Sequence, residues 1–203
     1  MKLPADDLNK FTIILASGSP RRRQLLEELG LKFEVITRDY PETFPGDLKA
    51  AEIAEYLSGE KASLFRNKVR ENEIIITADT IVWCNGRVLG KPSGKEEAIE
   101  MIEILSGTTH EVITGVTLLS QAKERTFSDT TKVTFDSLTL EEIKYYIENF
   151  KPYDKAGAYG IQDWIGLAAC SRIEGSYFNV VGLPVQKLYR ELLDFVKDFL
   201  PPV

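Results

Sequence analysis

TIILASGSPRRRQLLEELG, from Thr12 to Gly30, decides how this chain folds. Thr12–Ala16 is a short apolar, β-branched run and reads as a buried strand. It passes directly into Ser17-Gly18-Ser19-Pro20. Ser19 is a good N-cap, Pro20 suits the first helical position, and Gly30 suits the residue just past a helix end. The unit is strand, glycine-containing turn, helix, which presents backbone N–H groups to phosphate. The helix also poses an electrostatic problem. Its N-terminus already carries roughly half a positive charge, so each cation of Arg21-Arg22-Arg23 is misplaced by about 0.3–1 kcal/mol. A bound polyanion would offset that cost.

On a helical wheel Leu25, Leu26 and Leu29 define the buried face. Arg22 falls on that same side, suited to holding an internal carboxylate. Arg23 points away and pairs with Glu27 at i,i+4. Arg21 lies at the flank beside the serine turn, where an anion would sit.

Outward from this unit the elements alternate, which predicts an α/β fold. Lys32–Thr37 alternates as a second strand and residues 38–47 form a loop. Leu48–Arg66 reads as a helix. Glu73–Cys84 is an extended apolar run, and Asn85-Gly86 turns it into Arg87–Gly90 as a type I′ hairpin. Ser93 with Glu96 forms a capping box for a helix to about Leu105. His110–Ser120 and Thr126–Ser137 predict a hairpin around the polar turn 121–125. Thr139 with Glu142 caps a helix to about Phe150. The glycine-rich stretch from Gly157 to Gly182 predicts short strands, and a last helix runs from about Pro184 to Phe199. No repeat or low-complexity linker divides the 203 residues, and that length suits one large domain or two small lobes around one cleft.

The balance of 25 basic and 31 acidic residues leaves a formal charge of −6. That disfavours DNA or RNA as partner, since either needs a basic face. Cys84 and Cys170 have neither disulfide-framework nor zinc-site spacing. MKLPADDLNK lacks the apolar core of a signal peptide, and no apolar run approaches the roughly 18 residues of a membrane span. A cytoplasmic protein with reduced thiols is expected, with no membrane partner.

Asp79 interrupts the apolar strand IIITADTIVW. A carboxylate there is costly to bury unless it is paired, hydrogen-bonded or bound to a cation. Glu34 in KFEVIT is similarly placed. Two such carboxylates suit a divalent metal, with substrate phosphates completing the coordination; a solvent-facing Glu34 is the alternative. Lys91 follows Gly90 in GKP, but no Walker A motif is present. His110 is the single histidine, with no second histidine or neighbouring cysteine, so nucleophilic triad chemistry has little support.

Five motifs together, ASGSPRR (Ala16–Arg22), TADT (Thr77–Thr80), GKP (Gly90–Pro92), YDKAGAYGIQ (Tyr153–Gln162) and GSYFNVVGLP (Gly175–Pro184), resemble the Maf family in order and over nearly the whole chain. The resemblance implies an inosine triphosphate pyrophosphatase-like fold, a long mixed sheet with flanking helices and a central cleft between two lobes. It implies a single domain over 1–203 that cleaves nucleoside triphosphates to a monophosphate and pyrophosphate. By motif position, Asp79 matches the general base and Glu34 a metal-binding acid. Ser17 and Arg21, with Arg22 beside them, match the phosphate-binding turn, and Lys91 a phosphate-contacting lysine. Arg21, Thr80 and Gln162 together look like the subgroup acting on dTTP, UTP and modified pyrimidine nucleotides. A divalent cation, Mg²⁺ or Mn²⁺, is the expected cofactor. Relatives commonly form a homodimer, which no residue pattern here specifies. Asp163-Trp164 departs from the glycine frequent in relatives and places a charge and a large ring near the expected base pocket. Two other readings stay open at this point. One is a non-catalytic nucleotide-binding regulator of cell division; the other is a pyrophosphatase for inosine or xanthosine triphosphate.

Overall fold

The computed structural model describes residues 4–199. Strand β1 (Thr12–Leu15) leads through the serine turn into helix α1 (Pro20–Glu28). Ser19 Oγ accepts the Arg22 amide, Pro20 opens the helix, and Gly30 leaves it with φ 77°. β2 (Phe33–Val35) then pairs parallel with β1. Helix α2 (Ala51–Ser63) follows, then the long strand β3 (Glu73–Cys84) and its partner β4 (Arg87–Leu89). Asn85 and Gly86, with φ of 51° and 77°, make the expected tight turn. Helix α3 (Lys95–Leu105), the hairpin β5 (Thr109–Leu119) and β6 (Glu124–Phe135), and helix α4 (Leu140–Phe150) come next. The chain closes with α5 (Trp164–Ala168), β7 (Cys170–Glu174), α6 (Tyr177–Val181) and α7 (Val185–Lys197).

The strands form one mixed sheet in the order β2-β1-β3-β5-β6-β7, with β4 beside the far half of β3. β3 is buried on both faces, which explains its near-continuous apolar run. Its alternate residues divide the core. Ile74, Ile76, Ala78 and Val82 pack with α1, α3, α4 and α7 on one face. Ile75 and Ile81 belong to smaller clusters beneath α2 on the other. Among the described residues no helix is long and apolar enough to cross a membrane, and both cysteines are free.

Some local expectations are corrected. α2 starts at Ala51, because Ala50 takes φ 46° and breaks helical geometry after the loop. The box at α3 is displaced: Glu97, one residue beyond Glu96, accepts from both the amide and the hydroxyl of Ser93, and Gly94 occupies the cap. β6 begins earlier than expected, at Glu124, because Ser120 and Lys123 close the hairpin with reciprocal bonds. The stretch Gly157–Gly182 holds one strand among the described residues. Its remainder is two short helices and a 3-10 turn, since Ser176 caps α6 and Gly182, at φ 127°, ends it.

Candidate active site

The sheet has an interruption, and the cleft opens at it. β1 pairs with β3 only as far as Leu15 opposite Ile76, and β4 takes up the same edge at Val82 opposite Leu89. Residues 77–81 of β3 therefore have no strand on that side. Their other edge is fully paired with β5, where Asp79 lies opposite Gly115. The turn from Ser17 to Ser19 and the start of α1 fill the space beside the gap. A cleft of about 940 Å³ runs from this turn to the Gly160–Asp163 segment.

Arg22 substitutes for the absent strand. Its guanidinium donates to the Ala78 carbonyl at 2.7 Å, the Gly182 carbonyl at 2.9 Å, Thr80 Oγ1 at 2.9 Å and Ser17 Oγ at 3.3 Å. Burial pulls its pKa below the ordinary value and the Arg21 charge adds to this, while Asp79 and Glu42 oppose. The core-side position expected from the helical wheel is occupied, but what Arg22 holds directly is backbone carbonyls and hydroxyls rather than a carboxylate. Four of its five N–H groups are engaged within the protein, so it braces the wall of the cleft. Arg23 pairs with Glu27 at 2.9 Å on the surface.

Asp79 and Thr80 are adjacent and face opposite ways, as strand geometry requires. Thr80 Oγ1 lies 2.9 Å from Thr114 Oγ1 and is committed to the Arg22 side. Asp79 is 5% exposed and turns toward α2, where Lys61 Nζ donates to its Oδ1. That pairing is the compensation a carboxylate in an apolar strand needs. α2 comes this close because small residues line the contact. A Cβ on Gly115 would lie 2.1 Å from the Ala54 carbonyl oxygen. Ser58 Oγ lies 3.0 Å from Thr117 Oγ1, and the Ser58 carbonyl accepts from Thr77 Oγ1 at 2.7 Å.

Lys61 also reaches Glu42 Oε1 at 3.3 Å, and Lys91 donates to the same oxygen at 2.7 Å. Burial pushes the Glu42 carboxyl up, but the Lys91 hydrogen bond and the charges of both lysines outweigh it, and the net shift is downward. Lys61 and Glu42 were not singled out from the sequence. Lys61 sits at an ordinary position near a helix end. Glu42 lies in an irregular loop, and no periodicity marks a loop residue as facing inward.

Glu34 does not join this group. It stands on the edge strand β2, exposed, in register with Ile14, which in turn pairs with Ile75. Four residues along β3 and two strand spacings separate it from Asp79, roughly 16 Å between Cα atoms. Two carboxylates sharing one Mg²⁺ hold their oxygens about 2.1 Å from it. The acid nearer Asp79 is Glu42. No group of three or more His, Cys, Asp or Glu side chains suited to a metal occurs among the described residues. Asp79 and Glu42 nevertheless fit the donor set of a Mg²⁺ that takes one or two carboxylates and relies on phosphate oxygens for the rest.

Ser17 Oγ accepts from the Ser19 amide at 3.2 Å and from Arg22, so its own hydrogen remains to be donated. Arg21 Nη1 pairs with Asp154 Oδ2 at 3.1 Å at the cleft mouth. Gln162 lines the opposite end, exposed, and its side chain has no hydrogen-bond partner among the described residues. Asp163 lies beside it, but the Trp164 ring turns away and meets Tyr145 edge-on at 5.2 Å. Six cationic and five acidic side chains line the cleft, so it is locally positive in a chain of net charge −6. His110 is elsewhere, buried among Phe135 and Tyr159, with Nε2 2.8 Å from the Tyr159 hydroxyl.

The dTTP/UTP pyrophosphatase of Phocaeicola vulgatus is 55% identical over 188 residues, which cover 92% of this chain and 97% of that one. The dTTP/UTP pyrophosphatase of Flavobacterium johnsoniae is 51% identical over 191 residues, covering 94% and 98%. Among solved structures, the nucleoside-triphosphatase / dITP/XTP pyrophosphatase of Mycobacterium abscessus is a remote likeness, with a TM-score of 0.43 and 10% identity over 95% of this chain and all of that one. The Maf-like protein model matches residues 12–195, and the chain belongs to that family.

Proposed function

We propose that this protein hydrolyses dTTP, UTP and modified pyrimidine nucleoside triphosphates between the α and β phosphates, releasing the monophosphate and pyrophosphate. The observation that carries the reading is Asp79. It is a nearly buried carboxylate paired with Lys61, set in a gap of the sheet and facing a cation-lined cleft. Relatives about half identical in sequence bear the name dTTP/UTP pyrophosphatase, which supports the substrate class.

Each group has a task in that chemistry. The amides of the serine turn, the start of α1, Arg21 and Lys91 offer converging donors to a triphosphate. The arginine-rich first turn then becomes favourable, because the ligand supplies the negative charge that α1 lacks. Arg21 and Lys91 are now neutralised by Asp154 and Glu42, and phosphate would exchange for these partners. Asp79 accepts the proton of the attacking water, while Lys61 holds its Oδ1 in place. Asp79 and Glu42 would hold the divalent cation, which offsets negative charge on the phosphates when bound. Gln162 carries both an amide donor and an acceptor, so it can match the carbonyl and ring N–H of uracil or thymine.

The test is a nucleotide panel. With Mg²⁺ or Mn²⁺, UTP should give UMP and pyrophosphate in equal amounts, and UTP and dTTP should rank above ITP, XTP and 7-methyl-GTP by kcat/KM. Release of orthophosphate with UDP, or binding without turnover, would overturn the reading.

A further inference from the structure

The Gln162 turn is clamped by one buried hydroxyl. The Asp163 amide donates to the Gly160 carbonyl at 3.0 Å, closing a turn whose third residue is Gln162. Tyr146 rises beneath it from α4, fully buried. Its hydroxyl accepts the Gly160 amide at 3.0 Å and donates to Asp163 Oδ2 at 2.9 Å, so a single oxygen spans both ends of the turn. Packing leaves no slack. A Cβ on Gly160 would lie 2.6 Å from Asp163 Oδ2, and one on Gly166 would lie 1.9 Å from the Ile161 carbonyl oxygen. Lys155 Nζ sits 3.7 Å from Asp163 Oδ2 and 2.9 Å from Asp154, the partner of Arg21.

The result is a turn with a fixed backbone and one unengaged side chain. Ile161 is buried and Gln162 exposed to the cleft. A group that reads a base edge needs this kind of support, because a hydrogen bond discriminates only when donor and acceptor are already held in place. We propose that Tyr146 and Asp163 are positioning residues that set the pyrimidine preference by fixing Gln162. The inference rests on the reading that the cleft binds a nucleoside triphosphate with Gln162 at the base. Asp163 is thus not an added charge against the substrate, since its carboxylate is turned onto Tyr146 and Lys155. Burial raises the Tyr146 pKa well above the ordinary value, so its hydroxyl stays a donor throughout the working range.

The experiment compares kcat/KM for UTP and ITP in the unaltered enzyme and in Gln162→Ala, Tyr146→Phe and Asp163→Ala. Tyr146→Phe and Asp163→Ala should each lower the UTP-to-ITP ratio about tenfold, the factor one net hydrogen bond carries, with the loss in KM for UTP. Combined with Gln162→Ala, neither should lower the ratio further, because all three act through one side chain. Equal losses on both nucleotides, or a preserved ratio in both clamp variants while Gln162→Ala lowers it, would overturn the proposal. A ratio unmoved by Gln162→Ala would instead refute base reading by Gln162 itself, and the clamp's role with it. If Tyr146→Phe fails to fold, Asp163→Ala decides alone, since its side chain is partly exposed.

Discussion

Gly115→Ala tests whether the approach of α2 to the sheet governs the active site. Gly115 pairs with Asp79 across β3 and β5. The added methyl would stand 2.1 Å from the Ala54 carbonyl oxygen, 2.3 Å from its carbon and 2.6 Å from the Glu55 nitrogen. These are backbone atoms, so no side chain can rotate aside. Ordinary contact begins at 3.4 Å, and α2 must therefore retreat by about 1.3 Å. The same helix carries Lys61, which pairs with Asp79. Overpacking of this size costs about 1–3 kcal/mol, equivalent to roughly 2–12 °C in Tm for a chain of this length. A displacement near 1 Å costs up to about 100-fold in rate. Thermal unfolding followed by circular dichroism and kcat/KM for UTP should report both losses together. A Gly115→Ala enzyme with Tm within 1 °C and activity within twofold of the unaltered one would refute the argument that this close contact places Lys61.

Three further outcomes are expected. Asp79→Asn should lower kcat for UTP by about 10²–10⁴-fold while nucleotide binding, measured by calorimetry, persists; activity above a tenth would exclude Asp79 as the base. Glu42→Gln should lower kcat/KM for UTP about 10- to 100-fold and weaken the response to added Mg²⁺, whereas Glu34→Gln should stay within twofold; the reverse order would restore Glu34 to the metal site. His110 should make the fold acid-sensitive. Burial pushes its imidazole down to about 4, against an ordinary value of 6.5. The unfolded chain therefore binds the extra proton between those limits, and stability falls as pH drops from about 6.5 to about 4, by about 3 kcal/mol in all. Urea titrations at pH 7 and pH 4.5 should show a smaller drop in His110→Phe than in the unaltered chain, and equal drops would remove His110 as the cause.

The first unit was legible because its signals are local. Ser19, Pro20 and Gly30 each act through the backbone within a turn of themselves, and the strand before them is set by its apolar run. The same holds for the Thr139–Glu142 box and the Asn85-Gly86 turn. Asp79 was legible because a charge inside an apolar strand needs compensation wherever the strand lies. The partner supplying that compensation was not. Lys61 meets Asp79 only because Gly115, Ala54 and Ser58 let α2 settle onto the sheet, an arrangement of residues far apart in the chain. Glu34 and Glu42 were decided in the same way. Strand register carries Glu34 to an exposed edge, and a loop without periodicity folds Glu42 between two lysines. Sequence alone determined most of the strands and helices, though not the short helices within Gly157–Gly182, and which carboxylate has to be paired, since both follow from short-range sterics and solvation. Tertiary structure decided which charges meet, because electrostatic contacts depend on distances that only the packing of α2, the sheet gap and the cleft loops sets.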